Sequence, residues 1–487
     1  MKLKVFNLMA IIIVASMAMI GCKKEGKETF TIPSESILIT VDGFGVEGTT
    51  TFKSHNISAI DVLSVPTGWS VVNIDMYAKS ITVKSPENLE NDNERSGDIL
   101  LKGYSPAGDE KSIELYVAIL DTADVDYTEA PANCYIANKP ATRYLFNPMV
   151  GGSNTALDTN YVELIWSTSV DLIKYIDMKE DEGGNIVASF YVEAVEEDDK
   201  PTDKIKPGNA LIGAYDADGN LLWSWHIWVT NSNPTADTIA INGQTMMNIN
   251  LGADCNSEGE KDGAKIGSSY GMYYQWGRRT PIVGPESWDF ALNVDKYIFN
   301  AVGSQKSLIY TESDSSTGTL EWANANPRTI ITGYEDNNYD WLYEGHEELW
   351  SATEKSEHDP CPAGWRIPDS SVYANLTINT VDDEMAWQEA QGMYGWNLID
   401  KNDQSKSYFF SAAGRRNYLD GRLDIMNDDM DRPVPWSGYY WTATTTEDGM
   451  AEAMFFDLNS QTRTWNGFEA ARPMRRANAM PVRCVRE

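Results

Sequence analysis

Cysteine is the residue type whose spacing most constrains the chemistry of this chain. It occurs at positions 22, 134, 255, 361 and 484. Setting Cys22 aside leaves an even number, which in an exported protein suggests disulfides; four cysteines allow three pairings. Cys361 lies in Asp359-Pro360-Cys361-Pro362-Ala363-Gly364-Trp365-Arg366-Ile367-Pro368, where three prolines fix the backbone in an extended entry. Cys484 lies in Pro481-Val482-Arg483-Cys484-Val485-Arg486, which reads as a short closing strand. A Cys361–Cys484 bond would tie the start of a domain to its end, which pairs Cys134 with Cys255. The alternative is four buried thiols.

The other reactive types are poorly arranged for catalysis. Histidines 55, 226, 346 and 358 are scattered, with no zinc-ligand spacing, and His226 sits among tryptophans in a structural setting. No Gly-x-Ser-x-Gly elbow and no phosphate-binding glycine loop occurs. With 72 Asp and Glu, chance supplies any carboxylate pair one might pick for glycoside hydrolysis. Asp216 and Asp218 do not complete a calcium loop and read as a turn. No catalytic residue, metal site or cofactor is therefore assigned, and the chain is read as not an enzyme. Aromatic stacking remains: fourteen of the sixteen tryptophans lie from Trp223 onward. Flat aromatic faces can cover the C–H face of a sugar. Most of these rings are expected in the core, and Trp436, Trp441 and Trp465, beside polar loops, are the candidate ligand-binding residues.

The elements that must carry these residues read as strands. Ile37 to Val41, Ser80 to Val83 and Ile113 to Val117 are short, apolar or alternating, and Val65 to Val71 reads as a turn leading into a strand, which together indicate an immunoglobulin-like β-sandwich over 36–121. A junction follows, and 122–245 reads as a β-rich module. Its clearest feature is a hairpin, Gly208 to Tyr215 and Asn220 to Val229 about an Asp/Gly turn. Residues 246–487 form the last domain. At the N-terminus, Lys2 and Lys4 precede an apolar run from Leu8 to Ile20 and then Gly21-Cys22, a signal peptide over 1–22 followed by a polar tether over 23–35. The formal charge of −33 keeps the surface soluble and disfavours nucleic-acid binding.

Several strings resemble known families. Met19-Ile20-Gly21-Cys22 resembles a bacterial lipobox, which implies a lipid (palmitate) attached at Cys22 and a membrane contact through that anchor alone. The string Asp359 to Pro368, Tyr440-Trp441-Thr442-Ala443-Thr444 and the final Pro481 to Glu487 resemble the Fibrobacter succinogenes major paralogous domain. Tyr270 to Arg279 matches the same family's tyrosine- and tryptophan-bearing element, whereas Asn248 and Ile249 replace its expected Asp-Arg. That family is common in surface and fimbrial tip-like lipoproteins of Bacteroidales. It is similar to C-type-lectin-like and formylglycine-generating-enzyme-like folds. The Pro66-Thr67-Gly68-Trp69-Ser70 turn resembles BACON-like domains. These likenesses imply a mostly β chain with an α+β, C-type-lectin-like C-terminal domain. The implied protein is a non-catalytic adhesin or recognition subunit, fimbrial tip-like, anchored at the outer membrane and exposed at the surface, binding a glycan or a protein and fimbrial subunits. An accessory glycan-binding lipoprotein for polysaccharide uptake is the second reading, and a formylglycine-generating-like enzyme with a copper-binding cysteine pair the third. The calcium-ligand strings of C-type lectins are absent or, at Trp465-Asn466-Gly467, incomplete.

Overall fold

The structure is a computed structural model describing residues 28–487, apart from 33–37, 42–43, 89–91, 120–122, 182, 198–199, 286–294, 346–348, 379–393, 425–436 and 458–466. The described residues are almost all β and divide into two compact units, those within 28–39 and 44–118, and those within 40–41 and 119–487.

The first unit contains strands β1 (Leu38–Val41), β2 (Glu47–Thr51), β3 (Ala59–Ser64), β4 (Ser70–Asp75), β5 (Ser80–Lys84), β6 (Ser96–Tyr104) and β7 (Glu110–Ile119). They form two sheets, β1-β7-β6-β3 and β2-β5-β4. Alternation explains why these segments are strands: Ile81 and Val83 of β5, Ile99 and Leu101 of β6, and Leu115 of β7 are fully buried between less buried neighbours. Trp69 is also buried, and its indole N–H donates to the Glu94 carbonyl at 2.9 Å. The order is that of an immunoglobulin-type sandwich in which the first strand sits beside the last instead of the second.

The second unit begins with β8 (Ala123–Asp126), β9 (Cys134–Ala137), β10 (Thr142–Phe146), β11 (Tyr161–Ser167), β12 (Lys174–Glu180) and β13 (Ile186–Val192). Next come β14 (Gly208–Tyr215) and β15 (Leu221–Val229), the hairpin legible in the sequence. Asp216 makes its turn by accepting the Asp218 and Asn220 amides at 2.9 and 2.8 Å. The hairpin is central to a sheet in which β9 runs parallel to β15 and β11 antiparallel to β14. Its strands read as nearly continuous apolar runs because both faces are covered. Trp223, Trp225 and Ile227 pack with Tyr144, Phe146 and Phe190 of the neighbouring sheet β8-β10-β13-β12. Trp228, on the opposite face, joins a cluster with Met247, Leu251, Tyr274, Trp276, Trp341 and Trp441.

Residues 119–487 therefore form one compact unit, whereas the sequence reading divides them at 245/246. The physical reason is the doubly covered sheet: the module over 122–245 supplies it, and the following residues supply half of its packing. That second half has α1 (Gly263–Ser268), β16 (Tyr273–Gln275), α2 (Leu320–Ala325), β17 (Thr329–Thr332), β18 (Trp365–Arg366), β19 (Ser437–Thr445), β20 (Ala451–Asp457), β21 (Phe468–Met474), β22 (Ala479–Pro481) and β23 (Val485–Arg486). Asp262 and Thr319 cap the two short helices by accepting the amides of Ala264 and Trp322. Late residues return to early ones. The pair β22 and β16 is antiparallel, and Val485 of β23 pairs with both Met246 and Arg366. No helix of the described residues is long and apolar enough to cross a membrane.

Candidate functional site

A concave cleft opens where three loops of the second unit meet. Its volume is about 390 Å³ and its lining is Asp336, Asn337, Asn338, Asp340, Glu344, Gly345, Asp448, Gly449 and Arg476. The floor is a buried ion pair. Asp340 and Arg476 are 4% and 2% exposed, and Arg476 Nη1 lies 3.5 Å from Asp340 Oδ2. The Leu342 amide donates to Asp340 Oδ1 at 3.0 Å, and the Arg476 guanidinium lies 4.4 Å over the Trp276 ring. Burial lifts the Asp340 carboxyl to about 6, against the opposing pull of Arg476.

The walls are a left-handed turn held by side chains. Asn338 and Tyr339 both have positive φ, 48° and 55°, in the left-handed region that asparagine tolerates better than tyrosine. That turn is fixed by its side-chain bonds. Asn338 Nδ2 donates to the Asp448 carbonyl at 2.8 Å, and Arg475 Nη1 donates to Asn338 Oδ1 at 2.7 Å. Arg475 also lies over Tyr339 and Tyr418, at 4.5 and 5.0 Å. Thr446 Oγ1 donates to Asp448, whose carboxyl it draws below the usual range. Beside the cleft, Tyr334 and Tyr343 stack at 5.3 Å, and Tyr343 is 37% exposed. The cleft is thus a concave surface lined by carboxamide, carboxylate and glycine residues over one guanidinium, with an aromatic pair beside it. Among the described residues no three His, Cys, Asp or Glu side chains gather to hold a metal ion.

The residues singled out in the sequence lie elsewhere. Trp441 is not a surface platform: it is fully buried in β19, and its indole N–H donates to the Tyr274 carbonyl at 2.8 Å. The polar loops beside it in sequence gave the opposite expectation; the strand turns its ring into the tryptophan-rich core. Trp436, Trp465 and Cys22 lie outside the described residues. Cys361 and Cys484 are joined, with Cα atoms 6.1 Å apart. The Cys134–Cys255 pairing is corrected: both are thiols, Cys134 buried and Cys255 half-buried. Cys134 stands opposite His226 in the parallel β9–β15 pair, whereas Asp254, next to Cys255, bonds Thr230 and Asn231 beyond the far end of β15. A strand rises about 3.3 Å per residue, so these ends are on the order of 10 Å apart. A disulfide spans Cα separations of only about 4–7 Å.

His226 is structural. Its Nε2 lies 2.8 Å from Asn209 Oδ1 and its Nδ1 3.1 Å from the Tyr274 hydroxyl, and burial pushes its pKa down to about 3. Sequence reasoning missed the cleft because its polar residues are common loop types, and missed Arg476 because a charged residue near a strand end reads as solvated.

No protein-family model and no curated protein matches the chain. Solved structures show weak likeness. The D00-D0 domain of intimin is 11% identical over 41% of this chain and 96% of its own, with a TM-score of 0.17. The Bacteroides ovatus mixed-linkage glucan utilization locus protein SGBP-B, solved in complex with a mixed-linkage heptasaccharide, is 10% identical over 40% of this chain and 43% of its own, with a TM-score of 0.13. The human desmocollin-1 ectodomain is 9% identical over 45% and 46%, with a TM-score of 0.16. The chain spans less than half the length of the last two. Scores this low lend no weight to any inference about this chain, so the fold rests on its own strand order.

Proposed function

We propose that this chain is a non-catalytic recognition lipoprotein of the cell envelope, anchored at Cys22 and acting as an adhesin or fimbrial tip-like subunit that binds a glycan. The observation that carries the reading is the cleft of about 390 Å³, whose carboxamide and carboxylate lining and neighbouring Tyr343 suit a polyhydroxylated ligand. Sugar hydroxyls are bidentate partners for Asn and Asp, and the tyrosine face covers apolar C–H edges. The lipobox-like Met19 to Cys22 supports the anchor, and the net charge of −33 supports a soluble, exposed surface.

The test is a glycan-array screen of residues 23–487 with Cys22 omitted or blocked, alongside Tyr343→Ala and Glu344→Ala. Each variant removes a rim group and leaves the Asp340–Arg476 floor intact. Binding by the native protein that weakens about tenfold in either variant, about 1.4 kcal/mol, supports the reading. A folded sample that binds no glycan overturns it. Affinity for soluble polysaccharide, without incorporation into a shear-releasable polymer, would favour the uptake role.

A further inference from the structure

Among the described residues of the second unit five arginines, Arg278, Arg279, Arg416, Arg476 and Arg483, are 3% exposed or less. Four are answered by oxygen. Arg278 donates to Gln275 Oε1 and the Thr329 carbonyl, both at 2.8 Å. Arg416 reaches the Val283 carbonyl and Asp295, Arg476 reaches Asp340, and Arg483 reaches Asn250 and the Phe409 carbonyl. Arg279 differs. Its Nη1 lies 3.4 Å from His358 Nδ1, while Nε and Nη2 have no acceptor among the described residues. Those two N–H groups form one edge of the planar guanidinium, parallel and spaced to meet the two oxygens of a single carboxylate.

The surroundings hold that edge in place. The guanidinium lies 3.5 Å from the centre of the Trp223 ring, whose own indole N–H is also unpartnered. The Gly151 backbone packs on the same ring: an added Cβ there would come within 2.6 Å of it. A Cβ on Gly152 would meet Asn133 at 2.6 Å and the Glu357 carbonyl at 2.8 Å. Asn133 in turn donates to the carbonyls of Glu357 and Asp359. Ser153 and Asn154, next in that loop, are exposed and held at φ 52° and 61°. Glu357 attracts Arg279 from a distance without bonding it. A buried cation with two bare donors is an arrangement that proteins complete with an anion or water.

We propose that the Nε–Nη2 edge of Arg279, beneath the loops at 151–154 and 351–358, is a seat for one small carboxylate-class anion, taken side-on by the two parallel N–H groups. The site is separate from the cleft and does not depend on the glycan reading.

Formate is the probe, titrated into the whole protein at constant ionic strength. The expected result is a saturable shift of the Arg279 Nε–H resonance and a saturable rise of a few degrees in Tm. Arg279→Lys, whose ammonium lacks the paired edge, loses the saturable part. Glu357→Gln separates the sources. If native protein is blind to formate and Glu357→Gln becomes sensitive, the chain's own carboxylate fills the edge and the proposal of an external anion is wrong. An unmoved resonance in both proteins, or a Tm rise that is linear and equal in Arg279→Lys, also overturns it. Should Arg279→Lys fail to fold, the native resonance decides alone.

Discussion

At the scale of the residue, His226 shows what burial does to an ionisable group. Its folded-state pKa of about 3 lies below the ordinary value of 6.5. The unfolded chain therefore takes up a proton below about pH 6.5 that the folded chain refuses, and stability is lost as pH falls. In urea titrations at pH 7, 5.5 and 4.5, the stability gap between the native protein and His226→Gln should close by about 1.4 kcal/mol per pH unit. A gap that stays constant would mean His226 is charged inside the fold. Trp441→Ala should destabilise by roughly 3–5 kcal/mol, seen as a fall in Tm, because it empties a core site and strips the Tyr274 carbonyl of its donor. The sequence was informative about His226, whose tryptophan neighbours announced a core. It misled about Trp441, because polar loops nearby in sequence do not say which way the strand between them turns its ring.

At the scale of the element, the turn at 359–367 is organised by one carboxylate. Asp359 is fully buried; its Oδ1 accepts the Cys361 amide at 2.8 Å and its Oδ2 the Ile367 amide at 2.9 Å. Lys355 Nζ neutralises it at 3.1 Å and donates to the Cys361 and Trp365 carbonyls. The prolines were legible as a rigid entry; this charge at its centre was not, since aspartate before proline is ordinary in exposed turns. The bond from Cys361 to Cys484 spans 123 residues. Closing a loop of that size is worth about 4–5 kcal/mol in the chain-entropy account, so Cys361→Ser should lose stability on that order in denaturant. Alkylation in denaturant without reductant should label Cys134 and Cys255 and spare the bonded pair, as read by peptide mass. In the folded protein Cys255 should react first: its thiol is half-buried and raised to about 11, whereas Cys134 is 1% exposed and raised further by complete burial.

At the scale of the whole molecule, the division that matters is 118/119. The seven-strand sandwich was readable from short alternating runs. The unity of 119–487 was not, because a strand covered on both faces looks the same whether its covers are near or distant in sequence. A fragment ending at residue 245 should leave Trp228, Trp166 and Leu211 bare and aggregate, whereas residues 119–487 should fold alone. Circular dichroism and limited proteolysis of the two fragments check this. Deleting 246–487 is for the same reason a poor control for ligand binding, and point changes at the cleft rim are the sound ones.

The pairing of β16 with β22 sets a timetable for synthesis. Tyr273 must wait for Pro481, and Met246 for Val485. At about 5–20 residues per second, the delay between them is roughly 10–50 s for each emerging chain. Throughout that interval the cluster over one face of the tryptophan hairpin lacks its last members, Met480, Val482 and Cys484. The nascent protein thus passes through a sticky adolescence, during which a holding chaperone has its longest opportunity to bind.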